Sequence, residues 1–154
     1  MLADESFIKT ALLSIIMVNL FGRQDKAKVF FDTNFLMLLG SQGLDIFTAV
    51  SDLLEEPYEL CVLDATLREL RNIFEGKTKA KGADKFNAKL GYILAKQKGL
   101  KTVRSSTAHV DDALVTVANE NTYVATLDKT LQGRLKEQGA TIIYVKGKNQ
   151  LAKA

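Results

Sequence analysis

The chain has 154 residues, 47% of them apolar, and its 21 Lys and Arg against 18 Asp and Glu leave a formal charge of +3. That is enough apolar material for one domain with a sizeable core, and the mild basic excess permits a polyanionic partner without requiring one. The lone cysteine, Cys61, excludes an internal disulfide framework and fits a small core residue in a reducing, cytoplasmic compartment.

The first candidate element is the apolar run 11–21, ALLSIIMVNLF. It is too short, and too interrupted by Ser14 and Asn19, for a membrane span of about 20 apolar residues. A secretory signal is also disfavoured, because Asp4 and Glu5 stand where such signals are basic. The expectation is a helical extension over residues 1–22 that packs on the domain or on a second subunit, followed by a single domain over 23–154. Met17 offers an alternative translation start, which would make the residues before it an upstream extension.

From Lys28 onward, short β-rich runs alternate with helical ones, the pattern of βαβ units and a parallel sheet. Strands are predicted over 28–31, 60–63, 101–103, 122–126 and 141–145. Between the first two, Ile46, Phe47, Val50, Leu53 and Leu54 share one helical face that Pro57 ends. Further helices are predicted over 64–74, ended near Gly76; over 83–98, capped by Gly99; over 108–119; and around Leu131 and Leu135, closed by Gly139. The tail after Val145 holds Lys146, Lys148 and Lys153, a second basic cluster or a disordered end. These elements compose one α/β fold, a three-layer α/β/α sandwich.

Acidic residues follow the strands. Asp32 ends the first in KVFFDTNFLMLL, Asp64 follows the second, and Asp128 follows the fourth in VATLD. All strands of a parallel sheet end at one edge, which is where ligands bind. Glu69 lies about one and a half turns beyond Asp64, and the polar segment 102–107 is the loop that would carry Asp111 and Asp112 back to the same edge. Carboxylates gathered this closely raise one another's pKa unless a cation compensates, and hard divalent ions with oxygen ligands, Mg²⁺ or Mn²⁺, are the usual answer. Such ions activate water and stabilise the leaving oxygen of a phosphodiester. Each acid also has a plainer use. Asp64 and Asp128 stand at N-cap positions, Asp111 and Asp112 complement a helix dipole, and Glu69 can pair with Arg68 or Arg71 on the surface. His109, beside the Asp pair, suits a capping or surface role.

Taken together, FDTNFL (31–36), LDATLREL (63–70), VDDAL (110–114) and VATLD (124–128) resemble the four acidic motifs of PIN-domain nucleases, in order, over about residues 28–145. The details are most similar to the small PIN proteins that cleave precursor ribosomal RNA, more than to VapC toxins. The resemblance implies a parallel five-stranded sheet of order 3-2-1-4-5 and a metal-dependent endoribonuclease that prefers single strands. It implies that Asp32, Glu69, Asp112 and Asp128 hold Mg²⁺ or Mn²⁺, with Asp111 an alternative to Asp112. Asn34, Thr126 and Asp64 would orient these ligands.

Lys77, Lys79, Lys81 and Lys85 follow the Glu69 helix, either as phosphate contacts leading into the acidic pocket or as a solvated loop. RNA is the expected partner. A homodimer through the apolar segment, ribosome-assembly proteins or an antitoxin are further partners consistent with the reading. The rival functions are a VapC-type toxin ribonuclease, a non-catalytic RNA-binding assembly factor, and a phosphoacceptor receiver domain. The last is disfavoured because Asp32 stands alone where receivers carry paired acids.

Overall fold

The computed structural model describes residues 5–21 and 26–154. The expected boundary between 22 and 23, and Met1 and Asp4, lie outside the described residues. Helix α1, Glu5–Phe21, leaves its described side chains exposed, including Phe7, Leu12, Leu13, Ile15 and Leu20. Packing on the domain, one of the two expectations for this segment, is not what the structure has. Its apolar residues circle the helix instead of sharing one stripe, so no single face is matched to the core. Among the described residues, no helix is long and apolar enough to cross a membrane.

The remaining chain runs β1 (Ala27–Phe31), α2 (Thr33–Leu36), α3 (Leu38–Gln42), α4 (Ile46–Leu53), β2 (Tyr58–Leu63), α5 (Asp64–Phe74), α6 (Gly82–Gln97), β3 (Lys101–Val103), α7 (Val110–Val117), β4 (Thr122–Ala125), α8 (Lys129–Glu137), β5 (Thr141–Lys146) and β6 (Gln150–Lys153). The sheet order is β3-β2-β1-β4-β5-β6. The first five strands are parallel and keep the expected 3-2-1-4-5 order. The expected five strands become six. The tail turns back at Gly147, whose φ of +67° favours glycine, and β6 pairs antiparallel with β5. The backbone of Ala154 exchanges two hydrogen bonds with Ile142, so this end is ordered sheet edge rather than a loose tail.

Strand alternation divides the core. Val29, Phe31, Ala125 and Ile143 face one layer, with Phe35, Leu36, Phe47, Val50, Leu67, Leu70 and Ala88 from α2 to α6. Phe30, Cys61, Val124 and Ile142 face the other, with Ala113, Leu114, Leu131 and Leu135 from α7 and α8. Cys61 is free and fully buried, as its strand position predicts. The chain leaves β1 toward β2 and β3 on one side, then crosses back through α7 to β4 on the other. The C-terminal ends of β1 and β4 therefore flank the point where strand order reverses, the place where open α/β sheets bind ligands.

Helix α6 presses on the chain that follows β1. A Cβ on Gly91 would lie 2.5 Å from the carbonyl oxygen of Leu36, at the end of α2. Backbone cannot yield there as a side chain could. Gly91→Ala is expected to lower stability by about 1–3 kcal/mol, the scale of an overpacked core, which a thermal melt would read as a Tm drop of several degrees. An unchanged Tm would mean that α6 does not seat on α2 this closely.

Candidate active site

Asp32 occupies the reversal point. Its backbone N–H still donates to Ala125 on β4 (2.9 Å), while its carbonyl already accepts from Phe35 and Leu36 as α2 begins. It is the N-cap of that short helix, with φ −71° and ψ 156°. One carboxylate oxygen accepts from the N–H of Thr33 (2.8 Å), and the other accepts from the hydroxyl of Thr126 (2.8 Å) at the end of β4. Only 7% of Asp32 is exposed. Burial pushes its carboxyl pKa up, the hydrogen bonds from Thr126 and Thr33 oppose that rise, and the nearby charges of Asp111 and Asp128 push it further up.

Glu69 projects from α5 toward the same place. Partial burial of its carboxylate raises its pKa, the Thr33 hydroxyl opposes this, and Asp32 and Asp111 add to the rise. Because Glu69 is an exposed residue, water screens this shift more than that of Asp32. The Thr33 hydroxyl is near enough to favour the Glu69 carboxylate, yet it is buried without a hydrogen bond of acceptable geometry to any described group.

The loop after β3 carries the Asp pair back, as the polar segment requires. Its anchor is Ser105, whose N–H donates to Asp64 (2.8 Å), whose hydroxyl also donates to Asp64, and which accepts from the N–H of Ala65 (3.1 Å). These bonds, first of all the hydroxyl, hold the Asp64 carboxyl below its usual range. Asp64 thus ties the start of α5 to the loop, and α7 starts beside Glu69. Consecutive helical residues point about 100° apart, so Asp111 and Asp112 separate. Asp112 accepts from Arg134 of α8 at 2.8 Å in an exposed ion pair. Asp111 acts on both Asp32 and Glu69. Glu69, His109, Asp111, Asp112 and Arg134 line an open cleft of about 440 Å³.

Asp128 caps α8, accepting from Thr130 (2.9 Å) and Leu131 (3.1 Å). It is both a cap and a charge on Asp32. Thr126 is buried and has a double task. Its hydroxyl donates to Asp32 and accepts from the N–H of Asp128 (3.1 Å), while its carbonyl accepts from Gln132 (2.9 Å). Asn34 is exposed on α2. Ser105, Thr33, Gln132 and Arg134 all matter here, and only the polar segment 102–107 hinted at one of them.

Whether these residues suit a metal ion follows from their chemistry. Among the described residues, no three His, Cys, Asp or Glu side chains converge tightly enough to cage an ion unaided. Asp32, Asp111, Glu69 and Asp128 form a looser, all-oxygen array, and among the described residues no salt bridge reaches any of them. Mg²⁺ commonly keeps several waters and takes only one or two carboxylates. The array fits a hydrated ion of that kind, with the Thr33 hydroxyl beside Glu69.

Of the predicted RNA contacts, Lys77 lines a second hollow and pairs with Glu75 at 3.2 Å. Lys79 and Lys81 are exposed on the loop before α6, and the Lys85 ammonium folds back over Gly76.

The chain matches a family model described as a PIN like domain over residues 29–148. It is 30% identical over 123 residues to ribonuclease VapC4 of Methanocaldococcus jannaschii, covering 79% of this chain and 92% of that protein. Its fold superposes on the structure of the PIN domain endonuclease Utp24 with a TM-score of 0.65 at 22% identity, covering 82% of this chain and 90% of that one.

The raised carboxyl of Asp32 makes a stability prediction. Its folded pKa lies above the ordinary 3.8, so the native state binds the proton more tightly and stability falls as pH rises through that window. Above it, the buried charge is a standing cost. Asp32→Asn, whose amide oxygen can keep the Thr33 bond, is expected to raise Tm by roughly 2–4 °C in metal-free buffer at pH 7. A lower Tm would show that the charge is compensated within the fold.

Proposed function

From the chain's membership of the PIN-like domain family, we propose that it is a divalent-metal-dependent endoribonuclease that hydrolyses phosphodiester bonds in single-stranded RNA. The observation that carries this reading is the buried Asp32 carboxylate, hydrogen-bonded by Thr33 and Thr126 and pressed by Asp111 and Asp128, with no cation of the described fold paired to it. Such a cluster is costly to the free protein and suits a site that receives Mg²⁺ or Mn²⁺.

In this reading Asp32, Asp111 and Glu69 would hold the ion, with Asp128 close by. Asp111 is preferred to Asp112 because Arg134 already engages Asp112. A bound ion would lower the pKa of a water and stabilise charge on the phosphate oxygens. The protein's own groups do the rest. Thr33 and Thr126 hold both oxygens of Asp32 in one orientation. Asp64, through Ser105, sets the position of the α7 start. Arg134 stands at the cleft rim, where a phosphate would enter. Asn34, exposed on α2, would orient substrate or water, and Lys77, Lys79, Lys81 and Lys85 would meet the RNA backbone outside the cleft. Attack by water would leave a 3′-hydroxyl and a 5′-phosphate.

Precursor ribosomal RNA is the substrate we favour, on the DTNF start and the VATLD ending of the motifs. The VapC4 relative supports a second reading, a toxin ribonuclease held in check by an antitoxin. In both, residues 23–154 form the nuclease domain of a cytoplasmic protein. The exposed α1 is its attachment segment, to a second copy, an assembly protein or an antitoxin.

With Mn²⁺ and a single-stranded RNA, purified protein should cleave. Asp32→Asn and Asp111→Asn should each reduce the rate by more than about 10²-fold, the scale of losing a group that acts on the reacting charge. Asp112→Asn should stay within about tenfold of the parent. Equal activity in Asp32→Asn would place the chemistry elsewhere. Growth arrest on expression, relieved by that same substitution, would favour the toxin reading.

A further inference from the structure

Three hollows on the surface join into one path. The acidic cleft of Glu69, Asp111 and Arg134 shares Glu69 and Ala108 with a smaller hollow of about 220 Å³, which also contains Arg68, Asn72 and Thr78. That hollow shares Arg68 and Asn72 with a third, of about 490 Å³, reaching Arg71, Glu75, Lys77, Tyr92 and Lys96. The common wall is one stripe of α5. Residues 68, 71, 72 and 75 are spaced by three and four, so they lie on a single face along two turns. Helix α6 supplies the opposite wall through Tyr92 and Lys96.

We propose that this stripe is the track of the RNA backbone leaving the cleavage site, with Arg68, Arg71, Lys77 and Lys96 as its phosphate contacts. The proposal rests on the endoribonuclease reading and adds the direction the strand takes. The third hollow alone sets four cations, Arg68, Arg71, Lys77 and Lys96, against two acids, Asp64 and Glu75, and neither acid is free. Asp64 is occupied by Ser105. Glu75 holds both Arg71 and Lys77 at 3.2 Å. These two ion pairs are solvent-exposed, the kind that contributes little and exchanges partners readily. Phosphates can therefore take over Arg71 and Lys77 from Glu75 without breaking any part of the core.

Tyr92 gives the far end its shape. Its ring stands edge-on to Phe74 with centroids 5.5 Å apart, and the Lys96 ammonium lies 5.7 Å from its centre. The half-buried ring thus holds the Lys96 ammonium over the groove. Lys79 and Lys81, the most obvious basic residues of this region in the sequence, line none of the three hollows.

The test is binding of a fluorescent twelve-nucleotide oligouridylate to the full chain in EDTA, by anisotropy across a salt series. Single-strand binding loses about 0.7 in the slope of log K against log salt for each phosphate contact. Arg68→Ala/Arg71→Ala should weaken binding by about tenfold or more and flatten the slope by about 1.4. Glu75→Gln, which frees Arg71 and Lys77, should tighten binding several-fold. Lys136→Ala, at the far end of α8, serves as the control, and circular dichroism checks that each variant folds. Unchanged affinity and slope in the double Arg variant, or weaker binding by Glu75→Gln, would overturn the track. So would a parent protein that binds polyglutamate but no RNA. Cleavage is silent in EDTA, so the two readings fail separately. An RNA-binding parent that does not cleave with Mn²⁺ sinks the nuclease reading alone, and a cleaving parent whose Arg variants bind normally sinks the track alone.

Discussion

A carboxylate buried where strand order reverses is the constraint around which this molecule is arranged. Asp32 is nearly inaccessible, yet both its oxygens are hydrogen-bonded, one from its own helix and one from the neighbouring strand. Those bonds keep the charge tolerable without neutralising it. They also join β1 to β4 at the point where a parallel sheet opens outward. Thr126 is the shared piece, since one hydroxyl holds Asp32 and also receives the N–H of Asp128. The site and the sheet are specified by the same few atoms.

The other acids reach this point by different devices, and these differ in how visible they are in a sequence. Glu69 is legible because helical spacing from Asp64 places it there. Asp111 and Asp112 are not separable by pattern, because both open the same helix. What separates them is Arg134, on another helix, which takes Asp112 outward. The five parallel strands could be read from alternation and β-branched runs. The sixth could not, because Gln150–Lys153 holds only Leu151 as a large apolar residue and gains its strand character from the turn at Gly147. Helices α2 and α3 were hidden in the run Phe35–Leu39, which is apolar in every direction and shows no period.

Charge is distributed to match the proposed work. Acids concentrate at the strand ends, whereas Arg68, Arg71, Lys77 and Lys96 line the adjoining face of α5 and α6. A mild net charge of +3 conceals this division. A polyanion is repelled by the acid array alone and drawn by the basic stripe beside it, so in the proposed nuclease reading a cation at the array would let a phosphate approach it. In the proposed reading, metal and substrate would thereby be coupled through electrostatics. PIN-family membership does not depend on the exposed α1, which lies outside the matched residues 29–148.

The most direct test is a crystal soaked in Mn²⁺ and examined by anomalous scattering. A peak is expected beside Asp32, with Asp111 as its nearest second carboxylate, Glu69 reaching it directly or through water, and Asp112 still paired with Arg134. No peak at Asp32, or an ion held by Asp112 after release from Arg134, would contradict this placement.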